Sequence, residues 1–319
     1  MNKSYDRGAE DLGNIVALEH VNLQVGDQAL ATLFYVSGLG LTRDPYLMTS
    51  IDNMWINVGR SQFHLPTGKP QRLRGRVGLV VPDREGLLRR LENVRKPLKG
   101  TRFDFTAHKG CVEAVCPWGN TFLCHDPGPS FGRVTLGMAY VEFDVPVGAA
   151  KGIAEFYRRL MGATTSVDGT GDTPAARVSA GDSQELVFRE TKAKLAPYDG
   201  HHIQVYVANF SGPHKQLVDH DLLTEESNQY QYRFDTITDP SSGKPLVKIE
   251  HEVRSLTHPL YARPLVNRNA LQTNRNYVPG ADAWVPAPME PAMDDPRTAM
   301  RERRFAEATR RGMARGGRA

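Results

Sequence analysis

One order of local signals recurs four times between residues 15 and 265, and this recurrence limits the fold more than any single motif does. From Ala17, ALEHVNLQV alternates as a half-buried strand does, and Gly26–Asp27 then breaks it ahead of the helix-compatible QALATLFYVSGL. Short strand-like runs follow in LTRDPYL, NMWINVG and SQFHLP, separated by Gly, Asp, Asn and Pro. The order β-α-β-β-β restarts at Gly75, where VGLVV gives a strand and Pro82–Asp83 opens a helix carrying Leu87, Leu88 and Leu91. RFDFTA, CVEAVC and NTFLCHD complete that unit, and Pro127, Gly128, Pro129, Ser130 and Gly132 form the clearest internal linker. A third unit runs from YVEFDV through a helix packing on Ile153, Phe156, Tyr157 and Leu160 to TTSV, ARVSAG and SQELVFRE. The fourth starts at Gly200, and its last strands lie in YQYRFDTITD and PLVKIEHEVRS.

A lone β-α-β-β-β unit leaves an apolar face and bare strand edges, so such units close in pairs around a concave interior. The chain is therefore expected to be α+β, with four repeated modules forming two paired domains at residues 12–128 and 134–265. Residues 266–319 form a proline-containing, basic C-terminal extension.

Charge is concentrated in that extension. Residues 297–319 hold eight arginines and two glutamates, a surplus of six, whereas the whole chain carries only +4 and the preceding body is close to −2. This gives no support for specific nucleic-acid binding by the body. The tail reads as a solvated segment or an arm wrapping a second subunit, which makes a homo-oligomer the expected assembly. No apolar run is long enough to span a bilayer and the N-terminus lacks a targeting pattern, so the expected location is cytoplasmic, without membrane association. Cys111, Cys116 and Cys124 are odd in number and lack CxxC spacing, so they read as free thiols rather than as a disulfide frame or zinc site.

Strand parity gathers polar residues. His20, Asn22 and Gln24 share one face of the first strand, and Gln62 and His64 share a face at the end of that unit. Tyr140, Glu142 and Asp144 line one face in the third unit; His202, Gln204 and Tyr206 do so in the fourth, followed by Glu250 and Glu252 on its final strand. Such rows are costly in a dry core and imply solvent or a polar cavity. His202 with Glu250 or Glu252 can hold a divalent metal, His20 and His64 form a second histidine pair, and Tyr140 or Tyr206 can donate to developing oxygen charge. Glu142 and Gln204 are candidate substrate contacts, with Glu113 and His125 as weaker candidates for the first cavity. His258, Tyr261 and Arg263 either surround an acidic or phenolic ligand or lock the C-terminal extension to the body. Asp219, His220 and Asp221 read as an exposed cluster. A structural polar network and a metal-free pocket remain open readings of the same residues.

The repeated element order across roughly residues 15–265 resembles the vicinal-oxygen-chelate superfamily of glyoxalases, bleomycin-resistance proteins and extradiol dioxygenases. That resemblance implies metal ligands on the first and last strands of paired modules, commonly two His and one Glu. In the first pair that pattern falls on His20 and His64, beside Gly78 and Leu123. The second then offers His202 with Glu250 or Glu252 beside Tyr140 and Leu186, so neither cup has a complete set. The extradiol dioxygenases match in module number, which implies Fe(II) or Mn(II) and a small oxygenated or aromatic substrate. Tyr140 falls where they place a histidine. The implied activity is dioxygenase-like, beside a metal-dependent lyase or isomerase and a small-molecule binding or sequestration protein.

Overall fold

The computed structural model describes residues 5–45, 52–169 and 173–263, so the expectations for residues 266–319 lie outside the described residues. Module one comprises β1 (Ile15–Asn22), α1 (Gln28–Ala31) continuing as a π-helical stretch (Thr32–Gly38), β2 (Thr42–Arg43), β3 (Asn53–Val58) and β4 (Ser61–Pro66). Module two has β5 (Gly75–Val80), α2 (Arg84–Arg95), β6 (Asp104–His108), β7 (Cys111–Val115) and β8 (Thr121–His125). Module three has β9 (Gly137–Pro146), α3 (Ala150–Leu160), β10 (Thr165–Asp168), β11 (Ala175–Ser179) and β12 (Glu185–Thr191). Module four has β13 (His202–Val207), α4 (Ser211–Asp219), β14 (Leu223–Asn228), β15 (Gln231–Thr238) and β16 (Pro245–Ser255).

Local chemistry accounts for these boundaries. The Asp27 carboxylate accepts from the backbone N–H groups of Ala29 and Leu30, and Asp83 does the same for Gly86, so each satisfies donors that a helix start leaves open. On α3, Ile153, Phe156, Tyr157 and Leu160 are all buried, the i, i+3, i+4, i+7 stripe that a core-facing helix requires. Each such side chain contributes roughly 2 kcal/mol on removal from water. None of the described helices is long and apolar enough to cross a membrane.

The modules form two eight-stranded mixed sheets, but the pairing is not sequential. Modules one and four share a sheet in the order β14-β15-β16-β13-β1-β4-β3-β2, and modules two and three share the other, β10-β11-β12-β9-β5-β8-β7-β6. Each sheet is closed by an antiparallel seam between the first strands of its modules, β1 with β13 and β5 with β9. The expectation that modules one and two, and three and four, would each close a sheet is therefore corrected. Sequential neighbours meet instead through apolar side chains. Phe34 and Phe63 pack on Phe122 at centroid distances of 5.4 and 5.6 Å between modules one and two, and Phe156 packs on Phe234 at 5.8 Å between modules three and four. The physical reason is that module one's strand edge and its helix-covered face are separate surfaces, and each can bind a different neighbour.

Candidate metal centre

Non-sequential pairing decides which polar residues meet. Across the seam of the outer-module sheet, one rank runs His64–Asn22–His202–Glu250, and the next runs Gln62–His20–Gln204–Glu252–Arg233. His20, His202 and Glu252 converge from β1, β13 and β16, with one ligand atom from each lying within 4.8 Å of the other two. His20 is 1% exposed and Glu252 3%. This set takes one histidine from the first module and one from the fourth.

A local irregularity tightens the site. The β1–β13 register shifts between Leu18 and His20, leaving Glu19 as the extra residue of a β-bulge. Strict alternation would send Glu19 to the core side with Val21. Instead its carboxylate lies beside its neighbour, with Glu19 Oε2 3.0 Å from His20 Nδ1 and Glu19 Oε1 accepting from the Tyr206 hydroxyl at 3.3 Å. Burial opposes ionisation of Glu19, but Arg254 and the His20 hydrogen bond outweigh it and hold its pKa down to about 2. A carboxylate on Nδ1 makes that nitrogen the donor and turns the Nε2 lone pair toward the cluster.

The electrostatics fit cation binding. His20 Nε2 and His202 Nε2 are buried with no hydrogen-bond partner among the described residues. His202 Nε2 stands 3.9 Å from Glu252 Oε2 and Nδ1 stands 3.6 Å from Glu250 Oε1, both too long for hydrogen bonds. Burial, reinforced by nearby His20 and Arg233, pushes the His202 pKa down to about 2, so the ring is neutral, as a ligand must be. His64 is likewise held neutral, its pKa pushed down to about 2 by burial and by His20. It stacks on Trp55 at 3.9 Å and 13°, with its Nε2 2.7 Å from Asn53 Oδ1, so it flanks the three ligands rather than joining them. Two orphaned imidazole nitrogens and a buried carboxylate make a donor set suited to a divalent cation.

Two arginines cap the carboxylates. Arg254 Nη1 is 3.2 Å from Glu19 Oε2, Arg254 Nη2 is 2.5 Å from Glu252 Oε1, and Arg254 Nε donates to Gln231 Oε1 at 2.8 Å. Arg233 donates one Nη to Glu250 Oε1 and the other to Glu252 Oε2. Gln204 is fully buried beside His20 and Glu252, yet neither end of its amide has a partner among the described residues, and nor does Asn22 Oδ1, opposite His202. An unsatisfied buried amide costs about 1–3 kcal/mol, so these groups fit a polar occupant rather than stability.

The other sequence candidates are placed elsewhere or engaged. Tyr140 lies in the inner-module sheet, where its hydroxyl is 2.9 Å from His125 Nε2, and so does not face His202 as parity and sequential pairing had it. Glu142 is in the same sheet, held by Arg76 at 3.0 Å and Arg189 at 3.1 Å, which leaves it an ion-pair partner instead of an open contact. Glu113 lies on β7 of that sheet. Tyr206 spends its hydroxyl on Glu19, and its ring packs 4.8 Å from Tyr261 and 6.3 Å from His258. Burial and Arg254 push the His258 pKa down to about 4. Arg263 is buried, with Nη2 2.6 Å from Asp44 Oδ2 and 3.2 Å from Gln62 Oε1; of its two expected roles, the geometry matches the clasp holding the C-terminal segment to module one. Asp219, His220 and Asp221 are exposed at the end of α4.

Parity missed Glu19, Arg233 and Arg254. A carboxylate assigned to the core face between Leu18 and Val21 was itself the signal for a bulge. The two arginines share the polar faces of their strands, but their partners depend on strand pairing.

The sequence matches no protein-family model and no curated protein. Among solved structures, a Bacillus subtilis subsp. subtilis str. 168 protein described as a "putative dioxygenase" superposes with a TM-score of 0.54 at 16% identity, covering 83% of this chain and 90% of that one. Glyoxalase I from Zea mays superposes with a TM-score of 0.51 at 12% identity over 76% of this chain and 92% of its own. The fold is the vicinal-oxygen-chelate fold. Identities this low carry architecture alone, so the vicinal-oxygen-chelate likeness fixes the paired-module scaffold and leaves chemistry to the residues of the seam.

Proposed function

We propose that this chain is a divalent-metal enzyme acting on a small, vicinally oxygenated metabolite, with dioxygenase as the reaction class. The convergence of His20, His202 and Glu252 carries the reading, because two histidines and one carboxylate leave further coordination positions open and are the donor set of non-haem Fe(II) oxygenases. Fe(II) or Mn(II) would be held by these three residues and, when bound, would supply a Lewis acid toward adjacent substrate oxygens. Glu19 fixes the His20 ring, while Arg254 holds Glu19 and Glu252 in place. Gln204 and Asn22 offer amide groups to orient an oxygenated ligand. Trp55, stacked on His64, provides an apolar flank suited to an aromatic substrate.

A metal-dependent lyase or isomerase would use the same donor set, and a sequestration protein the same cup without turnover. Oxygen uptake with catechols by protein loaded with Fe(II) or Mn(II) separates them: the dioxygenase expects stoichiometric consumption of O₂ and ring-cleaved product. Metal analysis should find one ion per chain in the wild type and none in His202→Ala or Glu252→Ala. Unchanged stoichiometry in both variants would reject the site.

A further inference from the structure

Glu252 is the sole carboxylate of the three-residue cluster, yet both of its oxygens already face guanidinium groups. The two arginines are not equivalent. Arg254 is 10% exposed and anchored on three sides by Glu19, Glu252 and Gln231. Arg233 is 21% exposed, lies on the neighbouring β15, and is otherwise held by Glu250 (28% exposed) and, at 3.7 Å, by Glu225 (56% exposed). The oxygen that Arg233 grips is Glu252 Oε2, the same atom that faces His202 Nε2. Two ligands sharing one ion at about 2 Å each can stand no more than about 4 Å apart, and His202 Nε2 and Glu252 Oε2, at 3.9 Å, already meet that limit across the oxygen that Arg233 holds.

We propose that Arg233 is an internal competitor for the metal site: it occupies Glu252 in the metal-free protein and must yield Oε2 when a divalent ion binds. This rests on the metal reading of the same cluster. With solvent-exposed Glu225 set aside, the five charged groups, Glu19, Glu250 and Glu252 against Arg233 and Arg254, sum to −1. A divalent ion reverses that sign to +1, and the displaced guanidinium then adds a fork of donors beside the ion. The site is thereby suited to an anionic ligand, a carboxylate or phenolate, in preference to a neutral diol. Glu250 is the anchor that keeps the displaced arginine near the cup.

The test is a Mn(II) titration of the full-length protein by calorimetry, without substrate. Arg233→Gln should bind Mn(II) tighter by on the order of 10- to 100-fold, the worth of a charge-assisted hydrogen bond no longer contested. Glu252→Gln should abolish Mn(II) binding whether or not Arg233 is replaced, because it removes the carboxylate ligand itself. A melting curve of each variant checks that the fold is intact. Mn(II) binding in the wild type, with equal or weaker binding in Arg233→Gln, overturns the competition while leaving the metal site standing. Binding in Arg233→Gln alone supports it, and absence of binding in both proteins overturns competition and metal site together.

Discussion

The two sheets share one architecture and differ at their seams. In the outer-module sheet the seam ranks carry His64, Asn22, His202 and Glu250, then Gln62, His20, Gln204 and Glu252. In the inner-module sheet a corresponding rank reads Leu123, Gly78, Tyr140 and Glu185. There the Tyr140 ring lies directly over Gly78: a Cβ at position 78 would stand 2.1 Å from its Cε1. The glycine leaves room for a ring that fills the cup, its hydroxyl tied to His125. Buried carboxylates differ likewise, since Glu142 is matched by Arg76 and Arg189 whereas Glu252 stands among arginines and two imidazoles with free lone pairs. One scaffold thus carries a seam whose buried polar groups satisfy one another and a seam that leaves buried polar atoms without partners among the described residues. The difference lies in a few side chains at equivalent depth.

The sheets also differ in how they are held. Modules two and three are consecutive, but modules one and four join the two ends of the repeat and are tied by the segment after β16. Arg263→Ala should have the largest effect on this contrast, because it removes the guanidinium that faces the fully buried Asp44 carboxylate, to which Gln62 Nε2 also donates at 2.7 Å. Breaking a buried pair costs about 3–5 kcal/mol, and denaturant unfolding should register it. Hydrogen exchange should accelerate in β2–β4 and spare β5–β8; uniform acceleration would show that the clasp is not specific to the outer-module sheet.

A second measurement addresses the junction between the sheets. His251 of β16 is fully buried; its Nδ1 donates to the Ile249 carbonyl and its Nε2 accepts from the Tyr157 hydroxyl of α3. Burial pushes its pKa from 6.5 down to about 4. The unfolded chain therefore takes up a proton that the folded one refuses, so stability is intact above pH 6.5 and declines as pH falls toward 4. The loss reaches about 3 kcal/mol at most, at 1.36 kcal/mol per pKa unit. Melting temperatures across that range should show the slope, which buried His64, His202 and His258 share, and His251→Phe should reduce it by one proton's share. An equal slope in the variant would assign the acid sensitivity to other groups.

The smallest effect is expected in the inner-module seam. Gly78→Ala forces the Tyr140 ring off its bed and breaks the contact with His125, at about 1 kcal/mol because the ring is only partly buried and can swing toward solvent. Mn(II) binding should not change. A changed metal affinity would mean that the inner-module seam is coupled to the outer one.

Much of this was legible in the chain. The four modules, the helix starts at Asp27 and Asp83, the core stripe of α3 and the shared face of Glu250 and Glu252 all follow from alternation, helical period and capping, which act within a few residues. His20, His202 and Glu252 were each recognisable as candidate ligands for the same reason. Their grouping was not, nor was Glu19 at its bulge. Sequential pairing left an incomplete set in each cup, with Tyr140 where a histidine was wanted; pairing of the first module with the fourth sets those residues in separate sheets and brings the two histidines together. Strand parity states which side a residue faces but carries no information about which distant edge it will meet. That choice depends on how four similar modules share two cores and two seams, a property of the whole packed chain.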